Sequence, residues 1–191
     1  MLIRSTIDEF INLLASDSPT PGGGSVAGLS NALSAALLHM YCRISIKTAT
    51  DEEKDLFAKL LAEIKDILNK AKTLIDEDAN AFNEVMKAFK LPKETDSEKE
   101  IRKREIQNTL YKAAVVPLEN MKIAVYLMEI ADEINERGNK NVISDYKSAI
   151  YIAKAAYKSA KENVLINLES LKDEEKKRMI LEELKKVERK G

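Results

Sequence analysis

Apolar residues recur at intervals of three and four positions along most of this chain, the pattern of helices that bury one face. Six helices are predicted from this pattern, over about 7–15, 25–46, 51–89, 96–137, 145–168 and 173–189. No run of residues shows a convincing alternation of apolar and polar positions of the kind that a half-buried strand requires. The predicted fold class is therefore all-α.

Local signals mark where these helices begin and end. Three Thr-x-x-Glu capping boxes predict helix starts, at Thr6–Glu9, Thr50–Glu53 and Thr95–Glu98. Ser25 and Ser144 are expected to be the N-caps of the second and fifth helices. Pro92 ends the third helix, because proline lacks the backbone donor and clashes with the preceding turn. Pro117 is expected to kink the fourth.

The predicted helices form one domain over residues 1–191, an elongated bundle in which most neighbours are antiparallel. No linker divides the chain, and no repeat of solenoid period is present. A third helix of about forty residues would be about 60 Å long at 1.5 Å per residue. Because this length exceeds the width of a compact monomer of this size, we expect a homodimer.

Composition excludes several classes of protein. The chain is 45% hydrophobic and 33% charged, with a formal net charge of -1, which indicates a globular protein without general attraction to nucleic acid or anionic membranes. Cys42 is the only cysteine and His39 the only histidine, so neither an intramolecular disulfide nor a zinc site is expected. Both are interpreted as structural, and no cofactor or metal is predicted.

An uncharged stretch from Ser18 to Cys42 is long enough to raise the question of a membrane span. Its internal glycines and polar residues, Asn31 and Ser34 among them, favour instead a central buried helix that packs closely against its neighbours. The first residues run directly into a helix without the apolar region of a signal peptide. We therefore expect a cytoplasmic protein with no membrane segment.

The segment Ser18–Ser25, with sequence SPTPGGGS, is the strongest single candidate for a binding site. Glycine has no Cβ, so a ligand can approach the main chain at Gly22, Gly23 and Gly24. The unpaired N–H groups at the start of the following helix suit a carboxylate, a phosphate or a polar carbonyl. The Gly-Lys-Ser/Thr ending of a Walker loop is missing, and a tight turn between helices is the alternative interpretation.

A carboxylate lies where a simple bundle would place an apolar residue. Asp78 shares a helix face with Leu74, Phe82 and Val85, since residues three and four apart are neighbours. A carboxylate on a packed face is costly unless it is paired or functional. A partly exposed surface acid remains the alternative, and Asp76 and Glu77 are interpreted as solvated.

Other polar residues are weaker candidates. Asn163 and Asn167 are four apart amid apolar residues, which indicates buried amides that hold a ligand, with a hydrogen-bonded pair between helices as the alternative. Arg102 would most often be a surface charge. Ser144 and Asp145 lie at a predicted helix start, where capping alone could explain them.

Taken in order, these pieces resemble the cyclodeaminase/cyclohydrolase family, the C-terminal domain of formiminotransferase-cyclodeaminase. The matching segments are Pro19–Ala27, Asp78–Phe82, Leu91–Lys93, Glu98–Lys99 with Arg102 and Gln107, Val116–Leu118, Gly138–Asn139 with Ser144–Asp145, and Asn163–Leu168. The resemblance covers about residues 6–180. Each motif is weak alone, but together, in the right order and at compatible spacing, they are specific.

The resemblance implies an all-α dimeric enzyme that acts on one-carbon derivatives of tetrahydrofolate without a metal or cofactor. It favours a cyclodeaminase, which converts 5-formimidoyltetrahydrofolate to 5,10-methenyltetrahydrofolate and ammonia. A methenyltetrahydrofolate cyclohydrolase, which opens the same bridge with water, is the first alternative. A non-catalytic dimeric helical module is the second.

The resemblance also suggests roles for individual residues. It implies Asp78 as the catalytic carboxylate, with Asp145 as a second candidate that orients the folate or shuttles the proton. The substrate-binding candidates are Gly22, Gly23, Gly24 and Ser25 for a carboxylate or carbonyl, Lys47 and Arg102 for the glutamate tail, Asn163 and Asn167 for pterin edges, and Asn139. Where the family usually has Leu-Thr-x-Gly-Lys, this chain has Ile44–Thr48, so its lysine comes one position earlier.

Overall fold

A computed structural model describes residues 1–190 of the chain. The six helices are α1 (Ile7–Leu14), α2 (Gly23–Ser45), α3 (Asp51–Phe89), α4 (Asp96–Ile134), α5 (Ile143–Ser170) and α6 (Glu174–Glu188). Short 3-10 helices at Leu2–Arg4 and Lys140–Val142 precede α1 and α5. Since residues 1–190 contain no strand, the all-α prediction is confirmed.

The helix starts show which local signals dominate. All three capping boxes form. In each, the threonine side chain accepts from the glutamate backbone N–H, and the glutamate side chain accepts from the threonine backbone N–H. The two serine caps, however, are wrong. Gly22 precedes α2 and places Ser25 inside the helix, and α5 begins at Ile143 because the chain enters it directly from a 3-10 helix.

The fourth helix differs from its prediction at its C-terminal end. It ends at Ile134, three residues before Arg137, because Asn135 adopts a left-handed conformation with φ of 46°. Helices often end at a residue in the left-handed conformation, and asparagine tolerates this conformation better than most residues. Pro117 lies inside the continuous helix, and the bend expected there stays a prediction.

Contacts between side chains define how the helices are arranged. Lys70 in α3 pairs with Glu119 in α4, and Lys59 pairs with Glu133, so the two 39-residue helices run antiparallel. Each is about 58 Å long at 1.5 Å per residue. Helix α2 packs between α3, α4 and α5, as expected for the central helix of the bundle.

The core has two parts that lie at opposite ends of the bundle. One part joins the C-terminal half of α2 to the start of α3 and includes Tyr41, Phe57 and Leu60. The other joins the end of α3 to α5 and α6 and includes Leu110 and Val164. The N-terminus of α2 lies near the second part, at the place where α2 ends and the longer helices continue.

The residues interpreted as structural are buried or partly buried. Cys42 is fully buried in α2, and burial raises the pKa of its thiol to about 12, so the thiol stays neutral and unreactive near neutral pH. His39 is partly buried, and desolvation lowers its pKa. None of the helices within residues 1–190 combines the length and the apolar character that crossing a bilayer requires.

Candidate functional site

A pocket forms because α2 is shorter than the helices around it. The N-terminal end of α2 lies beside Asp78 of α3 and Asn163 of α5, and both of these helices continue past it. The groove that α2 fills along the rest of the bundle is therefore empty here, with a cavity of about 390 Å³. The segment before α2, including Pro19 and Thr20, closes one side.

The pocket combines one carboxylate, two amides and an apolar wall. It is lined by Pro19, Thr20 and Gly22–Gly24 from the glycine segment, Asp78, Phe82, Val85, Met86 and Phe89 from α3, Leu110 and Ala113 from α4, and Asn163, Ile166, Asn167 and Ser170 from α5. Its volume lies in the range of sites for small molecules. Six of the eleven residues predicted for a site therefore line one cavity.

Asp78 is the charged residue of this pocket, and Ser25 holds it in place. The Ser25 hydroxyl lies 2.9 Å from an Asp78 carboxylate oxygen and 3.1 Å from the carbonyl oxygen of Ile75. Its proton can be donated to either of these two oxygens. Burial raises the pKa of the Asp78 carboxyl, and the hydrogen bonds from Ser25 oppose that rise. A carboxylate of this kind is a stronger base than an exposed aspartate.

The glycines make this close approach possible. A Cβ at Gly24 would lie 1.9 Å from one Asp78 carboxylate oxygen, and a Cβ at Gly23 would lie 2.8 Å from the Asn163 amide nitrogen. Gly22 has open space where a Cβ would lie. The need for glycine is therefore steric at Gly23 and Gly24, where the start of α2 meets α3 and α5.

The two asparagines of α5 are held by their neighbours. The Asn163 amide donates to the Ser159 carbonyl over 2.8 Å, and the Asn167 amide donates to the carbonyls of Ala113 and Asn163. The sequence left open whether these amides hold a ligand or form hydrogen bonds between helices. The bond from Asn167 to Ala113 of α4 joins two helices, and both side chains also line the cavity, where their carbonyl oxygens can accept from a ligand.

The apolar wall was not predicted as part of the site. Phe82, Met86 and Phe89 are between 37% and 46% exposed although they belong to the apolar stripe of α3. They are exposed because α2 does not extend this far to cover them. A long stripe beside a short helix is the signal that could have indicated this wall.

Asn120 is a second residue that sequence reasoning missed. It is fully buried in α4, where its side chain lies 3.5 Å from the Gly24 carbonyl oxygen and 3.2 Å from the Asn31 amide nitrogen. It thus helps to fix the backbone at the start of α2. A buried amide within the apolar face of a predicted helix was the available signal.

The remaining predicted residues lie elsewhere. Arg102 donates to the carbonyl of Phe89 and lies over its ring, 5.8 Å from the centroid, at the edge of the pocket. Lys47, Asn139 and Asp145 lie at the opposite end of α2, about 35 Å from the glycine segment along the helix. There the Asn139 backbone N–H donates to the Ser45 hydroxyl.

No three His, Cys, Asp or Glu side chains within residues 1–190 converge in a way that could hold a metal ion. The pocket itself brings a desolvated carboxylate, Asp78, beside the amide groups of Asn163 and Asn167. The fold and the pocket together define a helical bundle with a preformed cavity of the size of a small-molecule site.

Comparison with known proteins identifies the family. The formiminotransferase-cyclodeaminase family matches residues 6–186, nearly the whole chain. A methenyltetrahydrofolate cyclohydrolase from Methylorubrum extorquens is 38% identical over an alignment of 177 positions, and the match covers 89% of this chain and 82% of that protein. The chain belongs to the formiminotransferase-cyclodeaminase family, and the predicted resemblance is confirmed.

Two further relatives extend the comparison. Formimidoyltransferase-cyclodeaminase from Sus scrofa is 32% identical over 174 residues, and the match spans 91% of this chain but only 32% of that protein. The crystal structure of formiminotetrahydrofolate cyclodeaminase from Thermotoga maritima superposes with a TM-score of 0.87 and 30% identity, over all of this chain and 91% of that one. The matched relatives are thus named for two different reactions.

Proposed function

We propose that this protein is a methenyltetrahydrofolate cyclohydrolase, with formimidoyltetrahydrofolate cyclodeaminase as the second candidate. The sequence alone placed the cyclodeaminase first. The observation that reverses this order is the 38% identity to the Methylorubrum cyclohydrolase over 82% of that protein's length. The cyclodeaminase remains a candidate because the Thermotoga structure matches the whole chain.

The pocket suits the flat rings of a folate. The rings would lie against the apolar wall of Phe82, Met86 and Phe89, which is open to the cavity. The carbonyl oxygens of Asn163 and Asn167 would accept from the pterin N–H groups, and the main chain at Gly23 would come close to the substrate. Arg102, which donates to the Phe89 carbonyl at the edge of the pocket, would bind a carboxylate of the glutamate tail.

Asp78 would act as the general base of hydrolysis. Water adds to the electron-poor carbon that bridges nitrogens 5 and 10, and the Asp78 carboxylate takes the proton that the water loses. The bond from this carbon to nitrogen 5 then breaks, the new hydroxyl loses its proton, and nitrogen 5 gains one. Water and the methenyl cation thus give formyltetrahydrofolate and one net proton, and Asp78 can carry the proton in both steps.

In the cyclodeaminase reaction the same carboxylate would serve ring closure. Nitrogen 10 attacks the carbon of the protonated formimidoyl group (–CH=NH2+) and loses a proton to Asp78. That proton passes to the leaving nitrogen, which departs as ammonia, and the positive charge stays on the methenyl product. The bridge carbon is common to the two reactions, so the pocket needs no rearrangement to run either. What differs is whether water or ammonia occupies the space beside Asp78.

The experiment that tests this proposal mixes the purified protein separately with 5,10-methenyltetrahydrofolate and 5-formimidoyltetrahydrofolate and follows the methenyl absorbance. We expect the absorbance of the first substrate to fall faster than in buffer alone. A rise of absorbance with the second, accompanied by ammonia, would instead assign the cyclodeaminase. Binding of folate without either change would overturn both candidates and leave a helical module that keeps the pocket.

Replacing Ser25 by Ala should shift the pH dependence of this activity. Loss of the Ser25 hydroxyl removes a hydrogen bond that favours the charged carboxylate, so the pKa of Asp78 rises further. The rising limb of the kcat profile should therefore move to higher pH, and the protein should lose about 1 kcal/mol of stability. The measurement is a pH series of kcat beside Ser30→Ala, a serine of α2 outside the pocket.

A further inference from the structure

We propose that a second copy of this chain completes the pocket, and that Lys47 of the partner subunit binds a carboxylate of the substrate at its mouth. This inference rests on the proposed function for the identity of the substrate. It explains why predicted site residues lie at both ends of α2. The supporting observations concern one face of α2, the groove beside it and the charges at its two ends.

One face of α2 is apolar and open to solvent. Positions along it alternate in spacing between four and three residues, the spacing of a helix that packs along another helix. The face consists of Gly22, Val26, Leu29, Leu33, Ala36, Met40, Arg43 and Lys47, the last in the turn that follows α2. Leu33 is 50% exposed, although α2 is the central helix of the bundle.

This face is complementary to itself when two copies run antiparallel. The positions are symmetric about the peptide between Ser34 and Ala35, so a two-fold axis there brings each residue opposite a residue of the same face. The larger Leu33 meets the smaller Ala36. Gly22 then lies opposite Lys47 of the partner subunit.

A groove beside α2 continues the same surface. It is lined by Val26, Leu29, Ile75 and apolar residues of α1, with a volume of about 410 Å³. Ile7 and Ile11 of α1 are 80% and 54% exposed, and only Phe10 of this helix is buried. Helix α1 has a strongly amphipathic sequence, and a partner helix against α2 would cover its exposed apolar side.

The charges at the two ends of this face are complementary. The pocket end carries Asp17 and Asp78, while the pocket lining includes no basic side chain. The other end carries Arg43 and Lys47, and within residues 1–190 neither forms a salt bridge. Arg102 lies at the Phe89 edge of the pocket, and a folate tail carries more than one carboxylate, so Lys47 of the partner subunit would bind a second carboxylate at the Gly22 edge.

The sequence pattern favours a second copy over an unrelated partner. An unrelated protein would need only one apolar patch, whereas this face also has matching spacing on either side of its centre and opposite charges at its ends. Antiparallel pairing uses all three features at once. The pairing also brings Asn139, whose backbone N–H donates to Ser45 at the end of α2, near the pocket of the other subunit.

The first test is a cross-link that does not depend on activity. Gly22 has open space at its Cβ position and Lys47 is exposed, so both can be replaced by cysteine while the native Cys42 stays buried and unreactive. A short bismaleimide should join Gly22→Cys/Lys47→Cys chains into covalent dimers. Neither single variant should cross-link in this way. If the double variant sediments as a dimer but no covalent dimer forms, the antiparallel register is wrong.

The second test separates the contributions of the two subunits. Lys47→Glu should raise KM about ten- to hundredfold with little change in kcat, because a charge-assisted bond to the substrate is lost. Lys47→Arg keeps the positive charge, so its KM should stay close to that of the wild type. Lys72→Glu makes the same change of charge on an exposed face of α3 and should leave KM unaltered.

Mixing then distinguishes a shared site from a site within one chain. In a dimer of one Asp78→Asn chain and one Lys47→Glu chain, one pocket has both intact residues. Subunits exchanged at random should recover about one quarter of wild-type activity at low substrate concentration. No recovery after proven exchange would overturn the proposal.

Disrupting the face provides the last check. Leu33→Glu places two charges near the two-fold axis, and since Leu33 is half exposed the chain itself should stay folded. Sedimentation should show a monomer with unchanged helix content and a KM raised as in Lys47→Glu. A monomer with wild-type kinetics would exclude the shared site. If the wild type lacks activity on both folates, the proposed function fails, and the cross-link still decides the register.

Discussion

Asp78→Asn is expected to lower kcat by about 10²–10⁴-fold, the contribution of a positioned general base. The amide keeps the shape of the carboxylate and can still accept the Ser25 hydroxyl, which lies 2.9 Å from the Asp78 oxygen in the native protein. Substrate binding should therefore change little. Single-turnover rates with 5,10-methenyltetrahydrofolate measure the chemical step, and a loss smaller than tenfold would exclude Asp78 as the base.

The same substitution should make the protein more stable. Burial raises the pKa of Asp78 in the folded state, so the folded state binds more protons than the unfolded one at pH values between the ordinary aspartate pKa and the raised one. Stability of the wild type therefore falls as the pH rises through that window. Asp78→Asn removes this dependence. The stability of the variant should equal that of the wild type at pH values below the window and exceed it at pH values above the window.

Thermal unfolding measures this difference. The Tm of a domain of this size changes by about 2–4 °C for each kcal/mol, so scans of both proteins from pH 4 to pH 8 should diverge as the pH rises. The same carboxylate must be charged to accept a proton, so kcat of the wild type should rise with pH over the same window. Curves of Tm that stay parallel would mean that Asp78 titrates as an exposed acid.

Gly24→Ala is expected to have the second large effect, through sterics alone. The added methyl would lie 1.9 Å from one Asp78 oxygen and 2.5 Å from its carboxyl carbon, so either the carboxylate or the start of α2 must move. Overpacking of this kind costs about 1–3 kcal/mol. A displacement of about 1 Å at the reacting groups can lower kcat about 10²-fold.

Gly22→Ala is the matched comparison, because it adds the same methyl two residues earlier. A Cβ at Gly22 meets no atom within 4 Å, and its φ of -131° is one that alanine adopts readily. This variant should lose far less activity than Gly24→Ala and at most about 1 kcal/mol, from a poorer N-cap. Equal losses of kcat in the two variants would mean that the whole glycine segment acts as a flexible loop.

The loss of folding stability caused by burying Asp78 and the requirement for glycine at position 24 have the same cause. Both follow from a carboxylate packed against the main chain at the start of α2, where Ser25 holds it. The protein gives up some stability to keep this acid desolvated, as active sites commonly do. Substitutions here should therefore change activity and stability in opposite directions at Asp78 and in the same direction at Gly24.

The sequence was sufficient for the helices and the family because both depend on local patterns. A capping box joins residues three apart, and the apolar stripe of a helix repeats every three or four positions. The six helices and the three capping boxes were predicted correctly for this reason. The glycine segment and the Asp78–Phe82 segment identified the family as short motifs in order, without any knowledge of their contacts.

The prediction of N-caps from the sequence failed where a serine could bond either within its own helix end or to residues distant in the chain. Ser25 has the chemistry of an N-cap, yet its hydroxyl bonds to residues of α3 that are 50 and 53 positions away in the chain. Ser144 also has that chemistry, but the preceding 3-10 helix already leads the chain into α5. Such outcomes depend on what lies beside the residue in space.

The sequence by itself therefore determined the six helices, their approximate ends and the candidate residues. The tertiary structure alone decided that Asp78, Gly24 and Asn163 share one cavity while Lys47 lies at the far end of α2. The physical reason is the register between helices. Packing sets it, as where Gly28 lets α2 approach the Ile75 backbone closely, and periodicity within one helix carries no information about it.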